Sequence, residues 1–420
     1  MIDLRRLRDD PGYRRGVERK RVRAGLVDEV LELDARRRAA VAQVDALRAR
    51  QKAASKEIGK APPQDRPARI EAAAALKEEL AAQEKDLAAL DARLRDLALQ
   101  VPNPAHPAVP DGGEDDAAVV RTVGEPGAGA PALDHAAFAD AMGFVDTEHA
   151  AEASGSRFAY LMREAALVEL ALVCHAMRVV VGHGFVPSVT PTLVRERTME
   201  EAGFFPTDRA QVYEVDGGEL FLVGTSEIAL SALHRGETLP AERLPARYAG
   251  LSTCYRREAG TYGKDTRGIF RVHQFDKVEM FSFAEPGDSE AEHERILAIE
   301  EEIIGGLGIP YRVVDIAAGD LGAAAARKFD IEGWLPSEGR YRELTSCSNY
   351  LDFSARRLGT RVRSARGTEL VHTLNGTACA ISRTLVFLFE HYQEPDGGFA
   401  VPDVLRPYTG FARVEPRVPQ

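Results

Sequence analysis

Residues 27–100 carry a heptad repeat that is interrupted once by a proline pair, and this pattern constrains the fold more than any other feature. Apolar residues recur at alternating steps of three and four, which is the seam of a coiled coil. The seam positions are Val30, Leu33, Ala40, Val44, Leu47, Ala54 and Ile58, then Ala73, Leu76, Leu80, Gln83, Leu87, Leu90, Leu94, Leu97 and Val101. Between the two sets, residues 59–63 (GKAPP) remove backbone donors and prevent a helix from continuing. We therefore predict an antiparallel helical hairpin, an arm of about 50 Å.

The first helix of the predicted arm is basic, although the chain as a whole is acidic. The formal net charge is −11, which taken alone disfavours a nucleic-acid partner. The basic residues of the first helix and the turn are Arg36, Arg37, Arg38, Arg48, Arg50, Lys52, Lys56 and Lys60. Such charges often belong only to a solvated helix face. A basic rod on an acidic protein nevertheless favours contact with a phosphate backbone.

The remainder of the chain predicts an α+β fold built on an antiparallel sheet. Residues 102–116 (PNPAHPAVPDGGEDD) are typical of a linker and suggest two domains, 1–110 and 111–420. Strand-like runs joined by short polar turns favour antiparallel pairing over βαβ units. The predicted strands are 219–223, 250–257, 268–283, 311–315 and 350–353.

Several classes of protein are disfavoured by what the sequence lacks. Neither a GxGxxG nor a GxxxxGK[ST] loop is present, so the two common phosphate-loop nucleotide sites are unsupported. Cys174, Cys254, Cys347 and Cys379 are scattered, which predicts neither disulfides nor zinc. The sequence shows no run of eighteen apolar residues, and its charged first residues do not resemble a secretory signal. We therefore expect a cytoplasmic protein without a membrane span.

The stretch 254–280 is the richest in residues that could bind a ligand. Two β-patterned arms flank a loop that contains Gly260, Gly263 and Gly268. If both arms are strands, alternation places Arg256 and Glu258 on one side. The same reasoning puts one set of residues of the returning arm on a common face: His273, Phe275, Lys277 and Glu279. Arginine can grip a carboxylate or phosphate with two hydrogen bonds, and an aromatic ring can stack on a purine.

Three shorter stretches could complete such a site. In LVGTSEI, Thr225 and Glu227 share a face if a strand continues through them, and this pair suits an ammonium group. In YRELTSCSN, Glu343 and Ser346 offer hard oxygen atoms for Mg²⁺ on substrate phosphates. In HTLNGTACAISR, a glycine-containing turn leads into an apolar helix that begins near Arg383, where an anion is favoured.

These stretches, in this order, resemble the signature motifs of class II aminoacyl-tRNA synthetases, and in detail those of bacterial-type seryl-tRNA synthetases. The resemblance extends over essentially the whole chain, from MIDLRRLRDDP and the arm through GTSE, the 256–279 run, ELTSCSN and TLNGT. It implies an N-terminal tRNA-binding domain and a class II catalytic domain on an antiparallel sheet flanked by helices. The implied reaction activates L-serine with ATP and transfers it to the 3′ end of tRNA(Ser), with tRNA(Sec) as an additional candidate.

The resemblance also implies the residues that bind serine. Thr225 and Glu227 would hold the amino group, and Glu279 would accept the hydroxyl. Asn375 and Thr377 would complete this pocket.

For ATP, the resemblance implies that Arg256 binds the α-phosphate as well as the serine carboxylate. Glu258 and Phe275 would contact the adenine, and Arg383 would bind the γ-phosphate. Glu343 and Ser346 would handle Mg²⁺. The full set of implied ATP-binding residues is Arg256, Glu258, Phe275, Glu343, Leu344, Thr345, Ser346 and Arg383. The residues implied to be catalytic are Arg256, Glu279 and Arg383.

The helix beginning near residue 161 and the stretch 184–191 match the first motif of the family, which implies a homodimer. The sequence departs from the family pattern in two places. Ala378 and Ser382 stand where the family commonly has glycine, with Cys379 between them, and Gly224 stands where many members have proline. Added side-chain atoms at Ala378 and Ser382 are expected to narrow the site.

Two alternative functions remain. A serine-activating paralogue could serve a carrier protein, although such homologues lack the arm, or could act as an inhibitor-resistant second copy. A catalytically inactive coiled-coil RNA-binding protein is the other alternative, and the retained charged residues of the site disfavour it.

Overall fold

The structure is a computed structural model that describes residues 1–417 except 128, 130, 261, 262, 264, 266 and 366. The chain divides into two compact units, Met1–Pro104 and Ala105–Gln420. The domain limit predicted at residues 110 and 111 remains a prediction, because compactness alone does not define a domain.

The N-terminal unit is helical, and its two long helices form the predicted hairpin. The helices are α1 (Leu4–Asp9), α2 (Pro11–Glu18), α3 (Leu26–Lys60) and α4 (Arg66–Ala98). The carboxylates of Asp3 and Asp10 accept hydrogen bonds from the first backbone N–H groups of α1 and α2, which satisfies donors that a helix start leaves unpaired. Helix α3 ends at Lys60, two residues before the first proline of the pair, Pro62.

The apolar seam is the main stabilising feature of this hairpin. All of the predicted seam positions are buried or partly buried, and Val44, Leu47 and Leu80 form the centre of the interface. Arg37 pairs with Asp91, and Arg48 Nη2 lies 2.8 Å from Glu84 Oε1. Exposed ion pairs of this kind contribute about 1 kcal/mol or less each, whereas a buried leucine contributes about 2 kcal/mol. The heptad pattern therefore determines the hairpin, and the ion pairs reinforce its alignment.

The second unit mixes helices with strands. Its helices are α5 (His135–Met142), α6 (Glu148–Ser154), α7 (Arg163–Gly182), α8 (Glu196–Ala202), α9 (Glu227–Ser231), α10 (Ser289–Gly306), α11 (Phe353–Leu358), α12 (Ile381–His391) and α13 (Arg406–Thr409). Its strands are β1 (Ala118–Val123), β2 (Val145–Asp146), β3 (Tyr160–Leu161), β4 (Val186–Val189), β5 (Leu193–Arg195), β6 (Glu214–Val215), β7 (Leu220–Leu222), β8 (Thr238–Pro240), β9 (Ala246–Tyr255), β10 (Gln274–Ala284), β11 (Tyr311–Asp315), β12 (Arg327–Leu335), β13 (Arg340–Asn349), β14 (Arg361–Ser364), β15 (Gly367–Leu370), β16 (His372–Ala380), β17 (Phe399–Ala400) and β18 (Arg413–Val414).

An eight-stranded sheet organises this unit, with the strand order β1-β11-β12-β13-β16-β10-β9-β4. Neighbouring strands are antiparallel except β4, which pairs with β9 in parallel. Helices α7, α10 and α12 pack against the sheet and share its largest core cluster. The predicted α+β fold, with a helical arm and an antiparallel sheet flanked by helices, is confirmed.

Alternation along β10 separates the two faces of this sheet. Val278 and Met280 belong to the helix-covered core, whereas Lys277 and Glu279 point to the other face. A polar site can therefore form on the sheet without disturbing the core.

Two strand predictions were wrong. Residues 350–353 are not a strand, because β13 ends at Asn349, Leu351 has a φ of 49°, and α11 begins at Phe353. The predicted strand 268–283 begins only at Gln274.

Helix α7 is long and apolar enough to cross a membrane, and among the described residues it alone meets that test. Core helices of folded domains meet the same test. Ala165, Val168 and Leu172 on its inner face belong to the core of the unit. Its outer face exposes Leu167 and Leu170, at 47% and 61%.

Candidate active site

A polar cavity opens on the face of the eight-stranded sheet that carries Lys277 and Glu279. All of the residues assigned above to serine, ATP or Mg²⁺ line it: Thr225, Glu227, Arg256, Glu258, Phe275, Glu279, Glu343, Leu344, Thr345, Ser346, Asn375, Thr377 and Arg383. The other lining residues are Phe204, Phe270, Arg271, Val272, Lys277, Ala380 and Ser382. The structure thus brings together residues that are far apart in the sequence.

Strand pairing fixes the centre of the cavity. Glu279 lies opposite Gly250 on one neighbouring strand and opposite Thr377 on the other. A side chain at position 250 would have its Cβ 2.8 Å from Ser226 Oγ, so glycine permits the turn before α9 to pack directly on the sheet. Ser226 Oγ also donates to the carbonyl of Gly250, at 3.1 Å. The cavity therefore depends on close packing between this turn and β9.

Two carboxylates lie side by side on the cavity floor. Asn375 Nδ2 donates to Glu227 Oε2 at 2.8 Å and to Glu279 Oε1 at 3.0 Å. Thr377 Oγ1 donates to Glu279 Oε2 at 3.4 Å, and Lys277 forms an ion pair with Glu279. Asn375 Oδ1 is buried and has no hydrogen-bond partner within the described part of the chain. The floor thus holds a buried acceptor that suits a ligand with N–H or O–H groups.

The two floor carboxylates differ in their electrostatic surroundings. Burial, followed by the negative charge of Glu279, raises the pKa of Glu227 to about 7. A hydrogen bond from Tyr350 and the charges of Lys277 and Arg256 oppose this rise. A bound cation would favour the ionised form of Glu227. The floor is therefore suited to an ammonium group.

Thr225 and Glu227 reach the cavity by a different route from the one predicted. The expected continuation of a strand through them was wrong, because β7 ends at Leu222 and Glu227 is the first residue of α9. The N–H of Glu227 donates to Thr225 Oγ1 at 3.3 Å. A strand, a turn and a helix start together place both side chains at the cavity.

Arg256 lies directly beyond the end of β9. Its guanidinium lies 5.4 Å from the centre of the Phe275 ring, and its Nε donates to the carbonyl of Gly224 at 3.3 Å. His273, which was predicted to share the face of Phe275, lies before β10 and outside the cavity lining. Its Nδ1 instead donates to the carbonyl of Arg256 at 2.9 Å, so that it holds the backbone of the arginine.

Glu258 lies in the loop after β9, where its φ is 50°. Arg256 and Glu258 do not share the face of a strand, as was predicted, because β9 ends at Tyr255 before either residue. Both nevertheless line the cavity, and Glu258 forms an ion pair with Arg271. Further along the loop, Thr261, Tyr262, Lys264 and Thr266 lie outside the described residues.

At the other end of the cavity, Arg383 meets Glu343. Arg383 Nη1 lies 3.2 Å from Glu343 Oε1, and the guanidinium lies 5.3 Å from the centre of the Phe270 ring. Desolvation opposes the ionisation of Glu343, but Arg383 and then Lys328 dominate and hold its pKa below the usual range. As predicted, α12 begins close to Arg383, at Ile381. An ionised carboxylate and a cation at a helix start suit a polyphosphate with its metal ion.

Leu344 and Thr345 contribute to the cavity in a different manner, because their side chains are buried. Leu344 belongs to the core cluster, and Thr345 Oγ1 donates to Glu300 Oε2 at 2.9 Å. A ligand would therefore meet them through the backbone. Ser346, the next residue of β13, is only partly buried.

The unusual residues of the third motif separate into two groups. Ala378 and Cys379 are buried in the core, where Cys379 Sγ lies 3.4 Å from Thr384 Oγ1. The expectation that Ala378 narrows the site was therefore wrong, whereas Ser382 does line the cavity. At Gly224, an added Cβ would lie 3.5 Å from Arg256 Cγ, which is ordinary contact.

Three charged or polar residues in or near the site carried no predicted role. Lys277 and Arg271 pair with predicted ligand-binding carboxylates, and Tyr350 opposes the rise in the pKa of Glu227. The alternation of side chains along the predicted strand that indicated Glu279 also places Lys277 on the same face, so the sequence did contain a signal for the lysine. Tyr350 gave no signal, because it was placed in a strand that does not form.

Comparison with known proteins gives two family matches. Residues 1–105 match the seryl-tRNA synthetase N-terminal domain, and residues 212–392 match the tRNA synthetase class II core domain (G, H, P, S and T). Serine–tRNA ligase 1 of Streptomyces avermitilis is 49% identical, with 98% of each chain covered. Serine–tRNA ligase of Acidothermus cellulolyticus is also 49% identical, over 99% of this chain and 100% of the relative.

Two solved structures resemble the whole chain. The seryl-tRNA synthetase from Pyrococcus horikoshii complexed with ATP has a TM-score of 0.93 at 36% identity, with 100% of both chains covered. The cytoplasmic serine–tRNA ligase from Naegleria fowleri in complex with AMP has a TM-score of 0.89 at 32% identity. That match covers 100% of this chain and 99% of the other.

The ion pair between Lys277 and Glu279 predicts a large loss of stability when the lysine is removed. We expect Lys277→Met to lower the free energy of unfolding by about 3 kcal/mol, because it leaves a buried carboxylate without its cation. Urea denaturation measures this difference. Lys85→Met, at an exposed position of α4, is the matched control and should change stability by less than about 0.5 kcal/mol. Equal stability of both variants would contradict the pairing.

Proposed function

The chain belongs to the seryl-tRNA synthetase family, and from this premise we propose how the residues of its cavity carry out the reaction. The reaction is that of a class II serine–tRNA ligase: serine is activated with ATP and joined to tRNA. The proposed residue roles rest on one observation: the motif residues assigned to serine, ATP and Mg²⁺ all line one cavity.

For serine, we propose that the ammonium group lies at Glu227, Thr225 and Asn375. Asn375 Oδ1 is buried without a partner within the described residues, and an ammonium group has donors for it and for both other side chains. The serine hydroxyl would donate to Glu279. A carboxylate has about four acceptor positions, and Lys277, Asn375 and Thr377 already supply three partners. Alanine would leave the remaining acceptor unpaired, which disfavours its activation.

For ATP, the adenine ring would stack on Phe275 and contact Glu258. Because the Arg256 guanidinium lies against the same phenylalanine, the base and the α-phosphate would be fixed by one cluster. Arg383 at the start of α12 would bind the γ-phosphate, where the helix dipole adds to its positive charge.

The donor set at Glu343 and Ser346 fits Mg²⁺ held together with substrate phosphates, since both offer oxygen atoms. Bound there, Mg²⁺ supplies positive charge that offsets the charge of the phosphates. These two residues would orient the ion, while the arginines at both ends of the cavity orient the nucleotide.

Positioning accounts for the chemistry in this arrangement. The serine carboxylate attacks the α-phosphorus, the bond to the β-phosphate oxygen breaks, and pyrophosphate leaves with the electron pair. Arg256 would stabilise the negative charge that develops on the α-phosphate oxygens. In the second step, a ribose hydroxyl of the terminal adenosine of tRNA attacks the seryl carbonyl and AMP leaves. No side chain needs to act as a nucleophile, so accurate placement is the main contribution.

The arm is proposed to bind tRNA(Ser) through the basic residues that are not paired across the hairpin. Arg37 and Arg48 are paired with acids of α4. Arg50, Lys52 and Lys56 are exposed, and no ion pair involves them within the described residues. A long flexible cation can neutralise a phosphate without reading its base. The family match over residues 1–105 supports this role over service to a carrier protein.

A homodimer is proposed on the basis of an exposed apolar surface. Val186 and Val189 of β4 are exposed at 55% and 82%, and Leu167 and Leu170 of α7 at 47% and 61%. Exposed apolar residues concentrated on neighbouring elements are typical of an interface.

We further propose a cytoplasmic location, which rests on the family alone. The inactive-protein alternative is not favoured, because the charged residues of the cavity are retained. No observation on the described residues favours an inhibitor-resistant second copy.

Arg256→Ala tests the proposed catalytic centre. We expect serine-dependent exchange of labelled pyrophosphate into ATP to fall at least about 100-fold, because a cation is lost from the developing charge. Arg243→Ala, at an exposed position of the same unit, should retain normal exchange. Near-normal exchange in Arg256→Ala would refute the role.

Replacement of Arg50, Lys52 and Lys56 by alanine tests the arm. We expect pyrophosphate exchange to be unchanged and the KM for tRNA(Ser) to rise at least about tenfold, with a weaker salt dependence, because phosphate contacts are lost. The matched variant Lys77→Ala/Lys85→Ala removes exposed lysines from α4 and should charge tRNA normally. Equal loss in both variants would contradict a specific contact surface.

Leu170→Glu tests the dimer. Sedimentation equilibrium should show a monomer for this variant, because a charge would be buried in the interface. Leu233→Glu, at a residue 48% exposed outside this surface, should remain dimeric. A dimer that persists in Leu170→Glu would place the interface elsewhere.

A further inference from the structure

A second cavity adjoins the active-site cavity at the end where Arg383 meets Glu343. The two cavities share four lining residues: Phe270, Arg271, Glu343 and Arg383. Acidic side chains are frequent in the lining of the second cavity: Glu114, Asp265, Asp320, Asp330, Glu332 and Glu343. The end of the site that is proposed to bind the polyphosphate therefore continues into a space rich in carboxylates.

Strand register places Asp330 of β12 beside a proposed Mg²⁺ ligand. Phe329 and Ile331 belong to the core cluster under the helices, so Asp330 between them points to the cavity face. Asp330 lies directly opposite Ser346 of the antiparallel neighbour β13. Side chains that are directly opposite in such a pair share a face, with their Cβ atoms about 5 Å apart. The Asp330 carboxylate and the Ser346 hydroxyl are therefore neighbours.

The other acids that occur only in the second cavity have strong partners or are exposed to solvent. Asp265 accepts hydrogen bonds from Arg342 Nη2 at 2.9 Å. Glu332 accepts one from Arg312 Nε at 2.5 Å. Two further acids are exposed: Glu114 and Asp320. None of these four carboxylates combines burial with an unused acceptor beside the proposed metal ligands.

The Asp330 carboxylate is buried and only half satisfied. The residue is 6% exposed. Its Oδ2 lies 3.5 Å from Nζ of Lys328, which precedes it by two residues on the same face of β12. Its Oδ1 is buried and has no hydrogen-bond partner in the part of the chain that the structure describes. Buried acceptors are almost always paired in folded proteins, so this oxygen suits a ligand that supplies an O–H group.

We infer that Asp330 is a positioning residue of the Mg²⁺ site, whose Oδ1 accepts a hydrogen bond from water on the ion that Glu343, Ser346 and the ATP phosphates would hold. This inference rests on the proposed function and deepens it at the same site. Mg²⁺ gives up its water reluctantly and usually keeps several molecules. Among the described residues, no three or more His, Cys, Asp and Glu side chains could hold a metal ion by themselves. Phosphate and water would therefore fill most positions around the ion.

Lys328 favours contact through water over direct coordination. An ion bonded directly to Asp330 would lie close to the Lys328 ammonium group, and the two positive charges would repel each other. A water molecule between the ion and Oδ1 separates the two cations and donates a hydrogen bond to the carboxylate. Partners of this kind orient the ligands around a metal, and their loss typically lowers metal affinity by about 10- to 100-fold.

Asp330→Asn tests the inference by nucleotide binding without turnover. Calorimetric titration of the full chain with α,β-methylene-ATP, in saturating Mg²⁺ and in EDTA, gives the factor by which Mg²⁺ tightens binding. We expect this factor to fall about tenfold, because a neutral amide oxygen is a weaker acceptor than a carboxylate. The Kd in EDTA should not rise. An equal rise of the Kd in both conditions would show a merely structural role and overturn the inference.

Asp315→Asn is the matched control. Asp315 of β11 is also buried, lies 2.7 Å from Arg327 Nη2, and has an Oδ1 without a partner within the described residues. It lies opposite Phe329, on the helix-covered face of the sheet, and lines neither of the two cavities. This variant should keep the full Mg²⁺ factor. An equal loss of the factor in Asp315→Asn and Asp330→Asn would contradict a specific role for Asp330.

Glu343→Gln separates failure of this inference from failure of the proposed metal site. If Glu343→Gln keeps the full Mg²⁺ factor, the proposed Mg²⁺ site itself is wrong. If Glu343→Gln loses the factor while Asp330→Asn keeps it, Asp330 has no positioning role and the Mg²⁺ site stands.

A double variant keeps the test informative if Asp330→Asn folds poorly because Lys328 loses its partner. Lys328→Met/Asp330→Asn removes both charges of the ion pair, so that no buried ammonium group is left unpaired. We expect it to show the same reduced Mg²⁺ factor as the single variant. A full Mg²⁺ factor in the double variant would overturn the role of Asp330.

Discussion

Two carboxylates held side by side out of water are the constraint on which the rest of the site depends. An unpaired buried charge costs several kcal/mol, and Glu227 and Glu279 also repel each other. Asn375 bridges them, and Lys277 neutralises Glu279. Glu227 is left with a pKa of about 7, so a ligand that brings one positive charge and several N–H donors completes the arrangement. An α-amino acid meets that requirement, which is consistent with the family to which the chain belongs.

The sheet makes this arrangement possible because it fixes distances between residues that are far apart in sequence. Lys277 and Glu279 face the cavity because they alternate with Val278 and Met280, which anchor β10 in the core. Gly376, opposite Met280, has no room for a side chain: a Cβ there would lie 2.2 Å from Ile296. Helix α10 therefore packs directly on β16, and Asn375 beside the glycine is held rigidly enough to bridge two carboxylates.

The sequence predicted the helical arm and the set of residues that line the cavity. It predicted less well the backbone conformation of the segments that carry those residues. Heptads and a proline pair are local signals, so α3 and α4 followed from them. The motif residues converge as the resemblance implied, although their individual roles remain proposals. The errors at Glu227, Glu258 and residues 350–353 occurred where strands end. There, tertiary contacts decide the path, such as the hydrogen bond from the N–H of Tyr255 to the carbonyl of Val223 at 2.8 Å. Alternation along one strand cannot reveal such contacts.

The ion pair between Arg383 and Glu343 has a thermodynamic consequence under the proposed roles. In the free protein each group satisfies the other, so neither a triphosphate nor its metal ion meets an isolated charge. If Glu343 held a metal ion, its ion pair with Arg383 would weaken and the guanidinium would become available to phosphate oxygens; phosphate binding at Arg383 would likewise make the carboxylate available. Each ligand would thus displace the protein group that competes with the other ligand. Thermodynamic linkage requires that the metal ion raise the affinity for the nucleotide by the same factor as the nucleotide raises the affinity for the metal ion. Nucleotide and metal would then bind cooperatively, through the exchange of a single internal partner.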